Sequence, residues 1–255
     1  MRLTYQLLGY LIGKVCRYRS SVSLQNLARA MPAASYADIL QYQTTFYRNL
    51  SRVLIENIFY RLPKLRVTPE SLALLRKKDM ENRSMVLLLG HYGNWEVLNS
   101  LPLWVNSPVQ ALYKPLKNKT CNSLIKTARQ RNGLRLLPAH GAARTLLSER
   151  GRPGITLFIA DQFPGHRNGL QLDFLNQPTY MFTGAEQLAK RLGAYVGYVE
   201  LRPLSGHEWE MSLQTICENA AETSSGTITT AYAQKLEKSI RQNPDWWLWT
   251  HKRWK

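Results

Sequence analysis

The stretch Met85-Val-Leu-Leu-Leu-Gly-His-Tyr-Gly-Asn-Trp-Glu96 decides how this chain reads. A five-residue apolar run closed by Gly90 describes an interior strand. Gly93 marks a turn, and Asn94 stands where a helix N-cap belongs, which puts Glu96 in the first helical turn. On one continuous helix, residues five apart point roughly 140° away from each other. A strand–turn–helix break can instead bring His91 and Glu96 together. The helix dipole favours an ionised Glu96 at that position, where a carboxylate can orient an imidazole and stabilise its protonated form. The expectation is a general base with its orienting acid, set against a plain strand-end histidine satisfied by its neighbours.

Outward from this stretch, strand-like and helix-like segments alternate. Strands are expected at 85–89, 109–113, 134–137, 155–160, 194–202 and 209–214, and helices at 95–104, 120–131, 141–149, 183–192 and 229–242. A long helix is expected over 35–60, with Leu40, Tyr47, Leu50, Leu54 and Ile58 near helical spacing. Such alternation implies an α/β protein: one layered domain with a mostly buried central sheet flanked by helices. No repeat or low-complexity linker divides it, and Glu222-Thr-Ser-Ser-Gly226 is a polar loop.

The N-terminal residues form a separate unit. Leu3, Leu7, Leu8, Leu11, Ile12 and Val15 fall on one helical stripe, flanked by Arg2, Lys14, Arg17 and Arg19. Gly9, Gly13 and Lys14 interrupt the run well short of the roughly 20 apolar residues a span needs. No signal-peptide pattern is present. Residues 1–19 are therefore expected as an amphipathic helix lying in a membrane interface, ahead of the domain at 20–255. The alternative is a helix packed on its own domain.

The 255 residues are 44% hydrophobic, enough for a sizeable core. Lys plus Arg number 34 against 17 acidic residues, a net charge of +17. Such a surface seeks anionic lipid, an acidic protein or nucleic acid. The basic residues are scattered and no nucleic-acid motif appears, which argues against the last. Cys16, Cys121 and Cys217 stand far apart with no CxxC pair, so neither zinc nor a disulfide framework is expected. Without a Gly-x-Ser-x-Gly elbow, a serine acyl-enzyme is disfavoured. Asp161 closes the run Ile155-Thr-Leu-Phe-Ile-Ala160, where a carboxylate can join a site or cap a turn. The tail Trp246-Trp-Leu-Trp249 and His251-Lys-Arg-Trp-Lys255 mixes aromatic and basic residues, as at a membrane interface or a base-stacking surface, or the tryptophans are core.

Gly90-His91-Tyr92-Gly93-Asn94-Trp95-Glu96 resembles the signature of the lipid A late acyltransferases, the lauroyl/myristoyl branch of the lysophospholipid acyltransferase superfamily. Further matches follow in that family's order: Tyr113-Lys114-Pro115 with Asn118, Arg129 with Gly133, Asp161-Gln162, Phe174 to Pro178, and the tail from Pro244. The likeness runs from about residue 20 to the end. Two features depart from it: a shorter, less apolar N-terminal segment, and Gly169-Leu-Gln-Leu-Asp-Phe-Leu-Asn176 in place of a more aromatic stretch.

The resemblance implies O-acyl transfer from an acyl carrier protein or acyl-CoA thioester to a hydroxyl of a lipid A precursor, at the cytoplasmic face of a bacterial inner membrane. It implies His91 as base and Glu96 as its support. Asp161 takes a supporting place beside them, with Gln162, Tyr113 and Asn94 toward substrate. A thiol is already a good leaving group, so no metal or covalent cofactor is needed; backbone N–H groups around Gly90–Asn94 are the natural oxyanion donors. Lys114 and Arg129 are the phosphate-binding candidates, Arg as a bidentate fork and Lys as a point charge. The alternatives carried forward are another glycolipid, phospholipid or aminolipid acceptor, a non-catalytic membrane scaffold, and a nucleic-acid-binding module.

Overall fold

The computed structural model describes residues 2–58, 63–165 and 169–254. The chain runs through α1 (Arg2–Tyr10), a π-helical turn (Leu11–Val15), α2 (Ser20–Ala30), α3 (Tyr36–Ile58), β1 (Lys64–Val67), α4 (Pro69–Met80) and β2 (Met85–Leu89). A 3₁₀ segment (Trp95–Leu103) leads to β3 (Val109–Tyr113), α5 (Lys119–Gln130), β4 (Arg135–Pro138), α6 (Ala142–Ser148) and β5 (Ile155–Ile159). The hairpin β6 (Leu170–Phe174) and β7 (Gln177–Met181) follows, then α7 (Gly184–Leu192), β8 (Tyr195–Pro203), β9 (Glu208–Cys217) and α8 (Thr227–Gln242).

Among the described residues the main sheet has the order β1-β9-β8-β2-β5-β3-β4, parallel from β8 to β4. Strand β9 runs antiparallel to β8 and carries β1 parallel to itself at the edge. All five β2 side chains are at most 2% exposed, which is why the strand reads as an unbroken apolar run. Val86 and Leu88 enter one core with residues of α7 and α8; Met85, Leu87 and Leu89 enter a second with Leu75 of α4 and Val97, Leu98 and Leu101 of the 3₁₀ segment. Burial of each such side chain contributes about 1.5–3 kcal/mol.

Those two cores place the site. The chain leaving β2 goes to the second core, whereas α7, after β5 and its hairpin, packs into the first. Adjacent parallel strands that send their continuations to opposite faces leave a crevice beyond their C-terminal ends. His91 and Asp161 both stand there.

One expectation changes: residues 95–103 form a 3₁₀ segment rather than an α-helix, with Pro102, which has no N–H to donate, inside it. Helix α3 is described as far as Ile58; residues 59 and 60 of the expected helix lie outside the described residues. On α3, Ile39, Phe46, Tyr47 and Val53 are buried, whereas Leu54 and Ile58 are exposed.

The N-terminal stripe divides. Helix α1 and the π-helical turn after it pack along α3 through small residues: a Cβ at Gly9 would come within 2.8 Å of the Arg48 backbone, and one at Gly13 within 2.5 Å of the Tyr47 ring. Leu8 and Ile12 turn partly inward. Leu3, Leu7, Tyr10, Leu11 and Val15 stay outside, 47–68% exposed. The helix is thus both packed on its domain and apolar on its outer face. No helix of the described residues is long and apolar enough to cross a membrane.

Candidate active site

Strands β2 and β5 pair in register, Leu89 opposite Ile159, so His91 and Asp161 each lie two residues beyond a matched pair. The His91 Nδ1–H donates to Asp161 Oδ1 at 2.7 Å, and the His91 backbone N–H donates to Asp161 Oδ2 at 2.8 Å. Trp247 Nε1–H donates to the same Oδ2 at 2.8 Å. One carboxylate therefore grips both ring and backbone of His91. Burial alone would raise the Asp161 pKa; the charge of His91, its two hydrogen bonds and that of Trp247 outweigh it and hold the carboxyl below its ordinary range. With a carboxylate on Nδ1, the imidazole carries its proton there and leaves Nε2 as the basic nitrogen. The His91 side chain is 18% exposed, and Gln162 Nε2 lies 3.4 Å from His91 Nε2. The Trp95 ring stands edge-on to the imidazole, 4.9 Å between centroids.

The expected His91–Glu96 pairing is replaced. Glu96 accepts a forked pair from Arg129, Nε to Oε2 at 2.9 Å and Nη2 to Oε1, and a bond from Asn99 Nδ2 at 3.0 Å. The cause is the 3₁₀ geometry, which brings residues three apart above one another and so sets Asn99 beside Glu96. Arg129, expected on phosphate, spends its fork on Glu96. Burial would lower its pKa, and the bond and charge of Glu96 raise it instead. Lys114 is exposed just past β3, on the same edge of the sheet as His91, and Tyr113 lies under Lys126 with Nζ 6.0 Å from the ring centroid.

Asn94 stands at the N-cap position but its side chain does not cap. It is fully buried and turned to α3, donating to Glu56 Oε2 at 2.9 Å. Two of the amides expected as oxyanion donors are also taken: the His91 N–H by Asp161, and the Gly93 N–H by the Trp246 carbonyl at 3.0 Å.

Trp247 is the site residue that sequence reasoning missed in role. The segment after α8 crosses the His91 turn, with Leu248 N–H bonded to the His91 carbonyl at 3.0 Å. Trp247 and Trp249 are buried at 2% and 0%, so these two rings belong to the core rather than to a membrane interface. Gly93 completes the turn: its φ of +66° disfavours side chains, and a Cβ there would meet the Trp209 ring at 2.8 Å.

Two grooves reach this site. One, of about 420 Å³, is lined by Ile58, Leu124, Ile125 and Ala128 and ends at Glu96 and Arg129. The other, of about 580 Å³, is lined by Ile12, Leu50, Leu54 and Leu248 and reaches Gln162.

An imidazole clamped by a buried carboxylate thus stands where α/β strands end, with one largely apolar groove reaching its neighbour Gln162 and another the nearby Glu96–Arg129 pair. All of residues 1–255 match the bacterial lipid A biosynthesis acyltransferases, and the chain belongs to that family. It is 24% identical over 266 residues to the lipid A biosynthesis palmitoleoyltransferase of Escherichia coli K12, covering 97% of this chain and 84% of that protein. It is 27% identical over 178 residues to the phosphatidylinositol mannoside acyltransferase of Mycolicibacterium smegmatis, covering 68% of this chain and 57% of the relative. The chain thus spans little more than half the length of that mycobacterial protein. The 1-acyl-sn-glycerophosphate acyltransferase of Thermotoga maritima aligns over 96% of both chains at 11% identity with a TM-score of 0.39, a level that carries no further conclusion.

Proposed function

We propose that this protein is a membrane-associated O-acyltransferase that moves a fatty acyl chain from an acyl carrier protein or CoA thioester to a hydroxyl of a lipid A precursor or a similar glycolipid. The observation that carries the reading is the Asp161–His91 pair at the crevice where β2 and β5 end. His91 Nε2 takes the proton of the acceptor hydroxyl as its oxygen attacks the thioester carbonyl. Asp161 holds the ring in the tautomer that leaves Nε2 basic and stabilises the imidazolium that forms. The thiol departs as the carbonyl reforms, accepting the proton from His91. The grooves ending at Gln162 and at Glu96–Arg129 suit the two lipid substrates. The domain at 20–255 performs this chemistry, with residues 1–19 as its contact to the membrane.

The test is acyl transfer by the purified protein, with acyl carrier protein and CoA thioesters compared on a tetraacylated lipid A precursor, and products read by mass spectrometry. A product heavier by one acyl group supports the reading; unchanged acceptor with both donors removes it.

Membrane contact through α1 has its own test. The exposed Leu3, Leu7, Leu11 and Val15, with Lys14, Arg17 and Arg19 nearby, suit an anionic lipid surface. Leu7→Glu with Leu11→Glu should lower binding to vesicles containing phosphatidylglycerol several-fold, and raised salt should lower wild-type binding too. Binding insensitive to both changes would place the contact elsewhere.

Arg129→Ala should leave the Glu96 carboxylate, 16% exposed, without its cation. The expected cost is about 1–3 kcal/mol of stability, read by denaturant titration, with a raised KM for the lipid acceptor and little change in thioester hydrolysis. An unchanged acceptor KM would make the pair purely structural.

A further inference from the structure

Glu56 is a buried acid to which the chemistry above gives no task. It lies on α3, is 1% exposed, and sits beneath the turn that follows His91. Its Oε2 accepts from Asn94 Nδ2 and from Trp209 Nε1, each at 2.9 Å; its Oε1 accepts from Arg52 Nε at 2.7 Å, with His207 Nδ1 at 3.4 Å. Asn57, the next residue on α3, exchanges two further bonds of 3.3 Å with the Asn94 amide. Both protein groups held by Oε2 are completely buried. Trp209 is the ring against which Gly93 packs, and Asn94 is followed by Trp95, the ring that stands edge-on to the imidazole. One carboxylate oxygen therefore fixes the floor under Gly93 and the anchor of Asn94 together.

We infer that Glu56 is a positioning residue for the reaction: through Asn94 and Trp209 it sets the Gly93–Trp95 turn and hence the place of Trp95 and the acceptor side of His91. This rests on the acyl-transfer reading of the His91 site. The physical argument is one of specificity. Burying a carboxylate is costly, and an ion pair with Arg52 is by itself weak evidence for added stability. What the arrangement adds is direction, because an acceptor oxygen between two fixed N–H donors allows the turn one seat. The Asp161 clamp holds His91 from the other side of the turn and does not touch Asn94. Two independent anchors, Asp161 from β5 and Glu56 from α3, thus hold the stretch between His91 and Trp95.

The experiment compares Glu56→Ala, Glu56→Gln and Asn94→Ala with wild type by kcat and KM for both substrates, thermal unfolding, and the ring ¹⁵N and C2–H resonances of His91. Glu56→Ala should lower kcat roughly 10- to 100-fold, the scale expected of a small misplacement, with KM changed less than about twofold. Glu56→Gln, whose carbonyl oxygen can still accept from Asn94 and Trp209, should regain most of that kcat. The His91 resonances should move in Glu56→Ala and Asn94→Ala, while those of the exposed His140 stay still. Should Glu56→Ala fail to fold, Asn94→Ala breaks the same link from the turn and decides the matter. Wild-type kcat with unmoved His91 resonances in a folded Ala variant overturns the inference, and so does a folded Gln variant as impaired as Ala. If the wild-type protein transfers no acyl group, the acyltransferase reading fails, and the resonance comparison still decides whether Glu56 sets the turn.

Discussion

Replacing His91 by alanine should abolish most acyl transfer, by about 10²–10⁴-fold in kcat, the usual contribution of a positioned general base, while leaving the protein folded. The fold should survive because the bonds that hold this turn do not need the imidazole. The backbone N–H of residue 91 still donates to Asp161 Oδ2, its carbonyl still accepts from Leu248, and Trp247 still bonds the carboxylate. What is lost is the ring alone, 18% exposed and packed edge-on against Trp95. Single-turnover assays on folded protein, checked by far-UV circular dichroism, measure the effect. Turnover within a few-fold of wild type would remove His91 from the chemistry, whatever its geometry.

How far the sequence could carry this picture depends on what each residue's partner is. Strands β2 and β3 were legible to the residue, because interior parallel strands are apolar on both faces: β2 is an unbroken apolar run, and β3 is broken only by Gln110, whose buried amide bonds Thr156 of β5. The β6–β7 hairpin was not. Its turn is Leu175-Asn176, both with positive φ and without a glycine to announce it, and Pro178 stands inside its second strand. Strand β1, Lys64-Leu-Arg-Val67, does alternate charged and apolar residues, but four residues are the shortest window in which that period can be read, so it does not stand out from its surroundings. Near the site, His91 and Glu96 were visible as a pair because they are five residues apart, and that nearness misled. Asp161, 70 residues on, becomes the partner only once β2 and β5 lie side by side in register. Sequence distance ranks Glu96 first; strand pairing ranks Asp161 first, and the strand pairing governs. Trp247 and Glu56 were hidden for the same reason, since a tryptophan in an aromatic tail and a glutamate on a helix look like packing and solvent charge until their partners are known.

The two carboxylates therefore make opposite demands on experiment, and the contrast is the sharper test of the site. Asp161→Asn should be nearly as damaging as loss of His91, about 10²–10⁴-fold in kcat. The amide cannot stabilise an imidazolium, and an amide hydrogen presented to Nδ1 favours the tautomer whose proton sits on Nε2, where the base must be free. A loss near 10⁴ is the known scale for this change in a Ser-His-Asp triad. In the other orientation, with its nitrogen in the place of Oδ2, Asn would set both the His91 backbone N–H and the Trp247 Nε1–H against a second donor; with the charge lost either way, stability should fall by about 1–3 kcal/mol. Glu96→Gln should behave otherwise. Its carbonyl oxygen still accepts from Arg129 while the forked ion pair weakens, so the change should appear in acceptor KM, with kcat within about tenfold of wild type. Measuring kcat and KM for both variants side by side assigns the carboxylate that orients and stabilises the imidazole. If Asp161→Asn kept its kcat while Glu96→Gln lost it, the imidazole in the working enzyme would answer to Glu96, and the ground-state clamp from β5 would be a structural bond alone.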